Sequence, residues 1–336
     1  MTMATDKPES AAATLDQEEL IERGWAALPA TYRMPVVKPT LSEARAWCKQ
    51  LAKSHYENFH VASWFLPKAL EPHFHAIYAY CRVSDDLGDE VGDTAQSMAL
   101  LDFWGRELDA CYEGETRHPV FVALAETIRA CSIPKEPFAD LLTAFRRDQT
   151  ETRYATMLDL LDYCRYSANP VGRLVLYACG EVDEEKFRLS DATCSALQLA
   201  NFWQDVSRDW AKGRVYIPQQ DMGFYGVSDE TIAQGVATPL FRDLMRLEVD
   251  FARGRFEEGL DLLPMVSRDL ALDLDLFSRG GLEILRAIEL RDYDVLSSRP
   301  SISKSTKFSL ALRAVSAKLF PFAALDRYRL STEKAD

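Results

Sequence analysis

Asp205 and Asp209 stand four residues apart in NFWQDVSRDWAKGRVYIP, the stretch from Asn201 to Pro218. Four residues is a little over one helical turn, so both carboxylates leave the same face and repel each other by roughly a few tenths of a kcal/mol. A single pair of this kind reads as a solvated acidic face, and Arg208 and Lys212 are near enough to make it one. The spacing recurs in YAYCRVSDDLGDE, from Tyr78 to Glu90, where Asp85 and Asp89 make one pair and Asp86 and Glu90 another. Four acids within six residues call for positive charge. Hard divalent ions take carboxylate oxygens one or two per site and fill their other positions with water and substrate phosphates. Two such clusters facing each other would hold a phosphorylated substrate through Mg²⁺, and Mn²⁺ would suit the same oxygens. Asp85, Asp86, Asp89, Asp205 and Asp209 are therefore the candidate metal ligands.

Their neighbours fit that use. Arg82 precedes the first cluster, Arg208 and Arg214 flank the second, and guanidinium groups meet diphosphate oxygens in a forked, bidentate way. Tyr56, Phe59, Tyr78, Tyr154, Phe202 and Trp203 bring aromatic surface to the same stretches. Each ring alone reads as core and each arginine alone as a surface ion pair. Together they describe an apolar, aromatic pocket with a metal and phosphate mouth, and aromatic faces attract cations. The matching chemistry is ionisation of a prenyl diphosphate, with Mg²⁺ as Lewis acid and a carbocation left in a site that excludes water. Other chemistries lack their residues, since GxSxG, GxGxxG after a strand, a P-loop and HExxH are all missing. His73 and His75 leave a helix on different faces, and His55 and His60 are poorly spaced for one metal.

The elements that must position these groups are helices. Apolar residues recur at three- and four-residue spacing over 72–87, 95–112, 120–131, 135–151, 157–167, 184–212, 239–262 and 279–291. Thr40 with Glu43 makes a capping box in front of a helix over 41–56. Alternating strand patterns, βαβ units and internal repeats are absent, so the expected architecture is all-α, a single-domain helical bundle. Residues 1–37 read as a partly disordered leader with one short helix near 15–27, residues 38–300 as the folded domain, and residues 301–336 as a basic amphipathic segment. That last segment carries seven lysines and arginines against three acids, enough to lie on an anionic membrane surface or to pack on the body. Asn169-Pro170 interrupts an otherwise continuous apolar helix, either as a bend that frees carbonyls or as a boundary between two helices.

With 336 residues and 47% hydrophobic composition the chain can bury a sizeable core, and its net charge of −13 argues against nucleic-acid binding. Seven scattered cysteines without a CxxC pair read as buried thiols in a reducing compartment. The acidic N-terminus has no signal-peptide core and no apolar run reaches the length of a membrane span, so a cytoplasmic location is expected, with peripheral contact at the inner face of the membrane as the one exception.

AIYAYCRVSDDLGDE, RYATMLDLLDYCRYSANPVGRL and LQLANFWQDVSRDWAKGRVYIP, in that order, resemble the squalene and phytoene synthases, a family of all-α isoprenoid enzymes of the class I terpenoid synthase fold with a central cavity. The resemblance runs from about His55 to Arg299. It implies that Asp85 and Asp89 form the first metal motif, supported by Asp86, and Asp205 and Asp209 the second. It further implies that Gln198 and Asn201 are the polar residues preceding the second motif, that Arg82, Arg214 and Arg299 contact diphosphate, that Tyr154 is the pocket tyrosine, and that Phe59 belongs to the apolar wall.

Departures from the family pattern fall where two substrate diphosphates would be handled. HYENF replaces HSxSF, putting Tyr56 and Asn58 where serines are usual; Gln204 replaces an arginine; SANPVG replaces VAGxVG. ENF, SANPVGR, NFWQDV and YDVLSSRP most closely resemble the bacterial branch that converts presqualene diphosphate and water to hydroxysqualene in hopanoid synthesis. That branch implies presqualene diphosphate as substrate, Mg²⁺ without NADPH, and coupling to a presqualene diphosphate synthase upstream and a reductase downstream. Asn169, Tyr154 or Gln204 would then hold the attacking water. Two other readings stay open at this point: condensation of two farnesyl diphosphates to presqualene diphosphate or squalene, and a non-catalytic assembly protein of the same family.

Overall fold

A computed structural model describes residues 16–54, 67–303 and 306. Among them the chain is all-α: the nearest thing to a strand is an isolated bridge between Arg153 and Val215. In chain order the helices are α1 (Gln17–Ala27), α2 (Leu41–Ser54), α3 (Glu71–Asp89), α4 (Thr94–Tyr112), α5 (Pro119–Cys131), α6 (Glu136–Arg147), α7 (Met157–Ser167), α8 (Asn169–Cys179), α9 (Glu184–Ala211), α10 (Gln219–Phe224), α11 (Asp229–Ala233), α12 (Pro239–Leu260) and α13 (Arg268–Glu289).

Local chemistry sets most of the starts. The expected capping box opens α2, with the Thr40 N–H donating to Glu43 Oε2 at 2.8 Å and the Glu43 N–H to Thr40 Oγ1 at 3.3 Å. Thr156 and Asp159 make another at α7, and Asp183 caps α9 by accepting from the Glu185 and Lys186 amides. Pro170 stands in the first turn of α8 after a junction at Ala168, so Asn169-Pro170 is a boundary between two helices rather than a bend within one.

Two apolar cores meet along the bundle. One gathers α1 to α6 around Tyr80, Trp104, Phe121 and Phe138; the other lies beneath α9, α12 and α13 around Trp203, Phe241, Phe256 and Leu285. Helix α9 is the axis of the second, packing on α8, α12 and α13. Close approach needs glycine at two crossings: a Cβ at Gly172 would lie 2.4 Å from Ser190 Oγ, and one at Gly259 would lie 2.1 Å from Thr193 Oγ1. These contacts fix the register of α9, and with it the second acidic motif.

The short helix expected near 15–27 is present as α1, but it does not stand apart from the folded domain. From Asp16 onward the leader is part of the body: α1 packs on α4, and Trp25, Leu28 and Tyr32 are buried in the first core. An apolar set at the right spacing, Ile21, Trp25 and Leu28, sits inside an otherwise polar stretch. A boundary at residue 37 therefore separates parts that fold together. Asn58 and Phe59, like Tyr56, lie outside the described residues, and so does nearly all of the basic C-terminal segment. No helix among the described residues is long and apolar enough to cross a membrane.

Candidate active site

The first acidic motif occupies the last turn of α3. The helix is fixed from α6 and the turn after it: the Gln149 amide donates to the Gly88 carbonyl at 3.0 Å and Tyr80 Oη donates to the Phe138 carbonyl at 2.9 Å. Asp85 is half-exposed and Asp89 exposed, whereas Asp86 is buried. Asp86 points away from the mouth: Oδ2 accepts from Tyr32 Oη at 2.7 Å and from Arg82 Nε at 3.1 Å, and Oδ1 accepts from Arg82 Nη2. Both its oxygens are committed, so the expectation that Asp86 ligates metal is replaced by a supporting role. Arg82 also reaches Asp85, with Nη1 3.3 Å from Oδ2.

The second motif lies near the end of α9. Gln198, Asn201, Asp205 and Asp209 follow one another at three- and four-residue steps and form one stripe on that helix, with Gln198 half-buried and Asn201 exposed. After α9 the chain reverses at Gly213, whose φ of 77° is open to glycine, and Arg214 returns toward α3 with Nη2 3.4 Å from Asp89 Oδ1. That arginine joins the two motifs.

Arg299 arrives from the far end of the chain. Asp294 accepts from the amides of Leu296 and Ser297, which closes the turn after α13 and directs YDVLSSRP onto α9. Arg299 forks Asp205, Nε to Oδ1 at 2.5 Å and Nη2 to Oδ2 at 2.8 Å, and Nη2 also donates to Gln204 Oε1 at 2.7 Å. Gln204 Nε2 in turn donates to the Pro300 carbonyl at 2.7 Å. Gln204 is buried with both ends of its amide engaged, so it anchors Arg299 rather than presenting a free group to water or to a second phosphate. Asn169 is also buried and accepts from Ser195 Oγ at 3.0 Å, which ties α8 to α9.

Below this mouth lies a stack of rings. Phe202 and Tyr216 are nearly parallel with centroids 3.7 Å apart, Tyr216 stacks on Tyr154 at 5.9 Å, and Tyr163 packs 5.3 Å from Tyr154. The Tyr154 hydroxyl is buried and has no hydrogen-bond partner among the described residues. Phe202, Val206, Asp209, Arg214 and Tyr216 line a recess beside it. Of the expected aromatic wall, Tyr154 and Phe202 are in place, but Trp203 faces α12, donating Nε1–H to the Glu248 carbonyl at 3.1 Å.

Two residues here gave no sequence signal. Asp148, just past α6, faces Asp89, Arg214 and the Tyr163 hydroxyl. Glu151 follows it at three residues, without the four-residue repeat that marks the other acids. Tyr163 looked like one more apolar position of α7. Burial, followed by repulsion from neighbouring carboxylates, pushes three acids upward: Asp85 to about 6 with Asp89 opposing its ionisation, Asp209 to about 6 with Asp205 opposing it, and Asp148 to about 6 despite the Tyr163 hydrogen bond and Arg214.

The donor set is carboxylate oxygen throughout, which suits a hard divalent ion bound together with a phosphate. Among the described residues no three acids, histidines or cysteines converge closely enough to hold a metal as they stand. Arg82, Arg214 and Arg299 lie against these acids instead, so the acidic mouth is already laced with the cations a diphosphate needs.

The squalene/phytoene synthase family model matches residues 52–306, a span that contains both acidic motifs and Arg299. The chain belongs to the squalene/phytoene synthase family. Among family members, the 15-cis-phytoene synthase of Synechococcus elongatus is 30% identical over 273 residues, covering 77% of this chain and 88% of that protein. Chloroplastic phytoene synthase 1 of Zea mays is 31% identical over 283 residues, 82% of this chain and 68% of the maize protein. Among solved structures, squalene synthase HpnC from Alicyclobacillus acidocaldarius is 46% identical with a TM-score of 0.73, covering 81% of this chain and 99% of that one. A ligand-bound dehydrosqualene synthase is 27% identical with a TM-score of 0.74, covering 82% and 96%. The all-α isoprenoid synthase fold of this family is therefore the fold of this chain, and the family's enzymes process prenyl diphosphates.

Proposed function

We propose that this family member is a hydroxysqualene synthase, turning presqualene diphosphate and water into hydroxysqualene and diphosphate. The observation that carries the reading is Gln204. Where the family pattern has an arginine, this chain has an amide whose oxygen and nitrogen are both spent on the Arg299–Pro300 turn. One set of guanidiniums, Arg82, Arg214 and Arg299, then serves one diphosphate. The 46% identity to squalene synthase HpnC supports a squalene-type rather than a phytoene-type product.

In this reading Asp85 and Asp89 from α3, with Asp205 and Asp209 from α9, hold Mg²⁺. When bound, Mg²⁺ supplies Lewis acidity to the departing diphosphate. Arg214 exchanges one long contact to Asp89, and Arg299 its fork on Asp205, for diphosphate oxygens, which costs little because charge-assisted bonds are replaced in kind. The stack of Tyr154, Tyr163, Phe202 and Tyr216 excludes bulk water and faces the cyclopropylcarbinyl cation as it rearranges. The Tyr154 hydroxyl, without a partner among the described residues, is the group to hold the one water that attacks. Asn169 and Gln204, already bonded within the protein, position helices and Arg299 respectively.

Turnover of presqualene diphosphate in ¹⁸O-labelled water, with Mg²⁺ and no NADPH, tests this. Label in an alcohol product is expected; squalene, or an alcohol whose oxygen comes from the diphosphate, would overturn it. A second reading is favoured by the identities to phytoene synthases, which points to condensation of two prenyl diphosphates.

A further inference from the structure

We propose that Tyr32 is a positioning residue of this reaction: by holding Asp86 it sets Arg82, which makes the segment before α2 a working part of the site. This rests on reading Arg82 as a diphosphate contact.

Tyr32 closes a short 3₁₀ turn, Ala30–Tyr32, and lies 54 residues before Asp86 in the chain. It is 3% exposed and Asp86 4%. Its phenol donates to Asp86 Oδ2 at 2.7 Å, on the same oxygen that takes the Arg82 Nε–H. Asp86 therefore accepts from three donors on two oxygens. A carboxylate so bound cannot turn toward a cation in the mouth, and its fork holds the guanidinium in one orientation. In that orientation Arg82 spends Nε–H and one Nη2–H on Asp86 and one Nη1–H on Asp85, which leaves two of its N–H groups for a ligand.

Tyr32 is itself fixed from behind. His118 Nε2–H donates to the Tyr32 carbonyl at 3.0 Å, while His118 Nδ1 accepts from the Val120 amide at 3.2 Å, an arrangement that requires the neutral ring. Burial keeps it neutral, pushing the His118 pKa down to about 4. Trp47 meets the edges of both Tyr32 and His118, with centroids 6.1 and 5.5 Å apart. Packing alone would accept phenylalanine here; the hydroxyl is accounted for by Asp86.

The test uses the full chain and inorganic diphosphate at saturating Mg²⁺, with binding followed by calorimetry. Tyr32→Phe is expected to weaken binding at least tenfold, while the melting temperature stays within a few degrees. In an Asp86→Asn background the same substitution is expected to change nothing, since the group it acts through has gone. Wild-type affinity in Tyr32→Phe, or an equal loss in both backgrounds, overturns the proposal. Should Tyr32→Phe fail to fold, Tyr32→Met removes the same hydroxyl: a tenfold loss supports the link and unchanged affinity removes it. A wild-type protein that binds no diphosphate with Mg²⁺ would instead bring down the reading of Arg82, and this inference with it.

Discussion

At the scale of single residues, the site is an acidic cleft held together by arginines. Three forks or single bonds, Arg82 on Asp85 and Asp86, Arg214 on Asp89 and Arg299 on Asp205, neutralise charges that would otherwise repel. The compensation is incomplete, because Asp85 and Asp209 are raised to about 6. An acid whose folded pKa lies above its unfolded value adds stability below that unfolded value and loses it as pH rises through the folded one. These carboxyls thus weigh on the metal-free protein from about pH 4 through 6. A metal that ionises them must release protons. Calorimetric titration with Mg²⁺ alone, in buffers of different ionisation enthalpy, is expected to show about one proton released at pH 6 and nearly none at pH 8. Heats that do not depend on the buffer at pH 6 would contradict the assignment of Asp85 and Asp209.

At the scale of elements, α9 does the most: it carries the polar stripe toward the mouth and buries Trp203 against α12 behind it. Behind that contact Glu248 is 1% exposed and faces Asp221, and burial, followed by the Asp221 charge, raises it to about 8. Its sign is the same as above: the neutral acid is tolerated at low pH, and stability drains away between about pH 4.5 and 8, by an amount on the order of a few kcal/mol. Glu248→Gln keeps the shape and removes the titration. Thermal melts at pH 5 and pH 8.5 are expected to show a larger fall in the wild type than in the variant, which keeps only the part due to Asp85, Asp148 and Asp209 and is several degrees more stable at the higher pH. Parallel falls in the two proteins would place the titration elsewhere. The elements were largely legible in the sequence because their apolar residues recur at helical spacing; α7 runs from Met157 to Ser167 as its pattern reads. The first half of α13 fell outside the run expected over 279–291, and its packing on α9, α12 and the turn at 263–265 decides it as helix. Asp85, Asp89, Asp205 and Asp209 were legible for the same reason as the helices, by their four-residue repeat. Tyr32, Asp148 and Tyr163 were hidden because each acts through a contact between distant stretches that no local period records.

At the scale of the whole molecule, the order of the chain explains how one mouth is built from four places. Residues before α2 supply Tyr32, α3 the first motif, α9 the second, and the turn after α13 supplies Arg299, so both ends of the described chain close on the same cleft. The family's enzymes process prenyl diphosphates, and the function proposed for this member turns on how many diphosphates the cleft can hold. Gln204, clamped between Arg299 and Pro300, is the physical reason for expecting one. The most direct measurement sets purified protein and Mg²⁺, without NADPH, against presqualene diphosphate and farnesyl diphosphate in separate reactions, with products identified by mass spectrometry. Hydroxysqualene from presqualene diphosphate, with farnesyl diphosphate left intact, is the predicted result; consumption of farnesyl diphosphate on its own would mean that the cleft accommodates two diphosphates and that this enzyme performs the condensation.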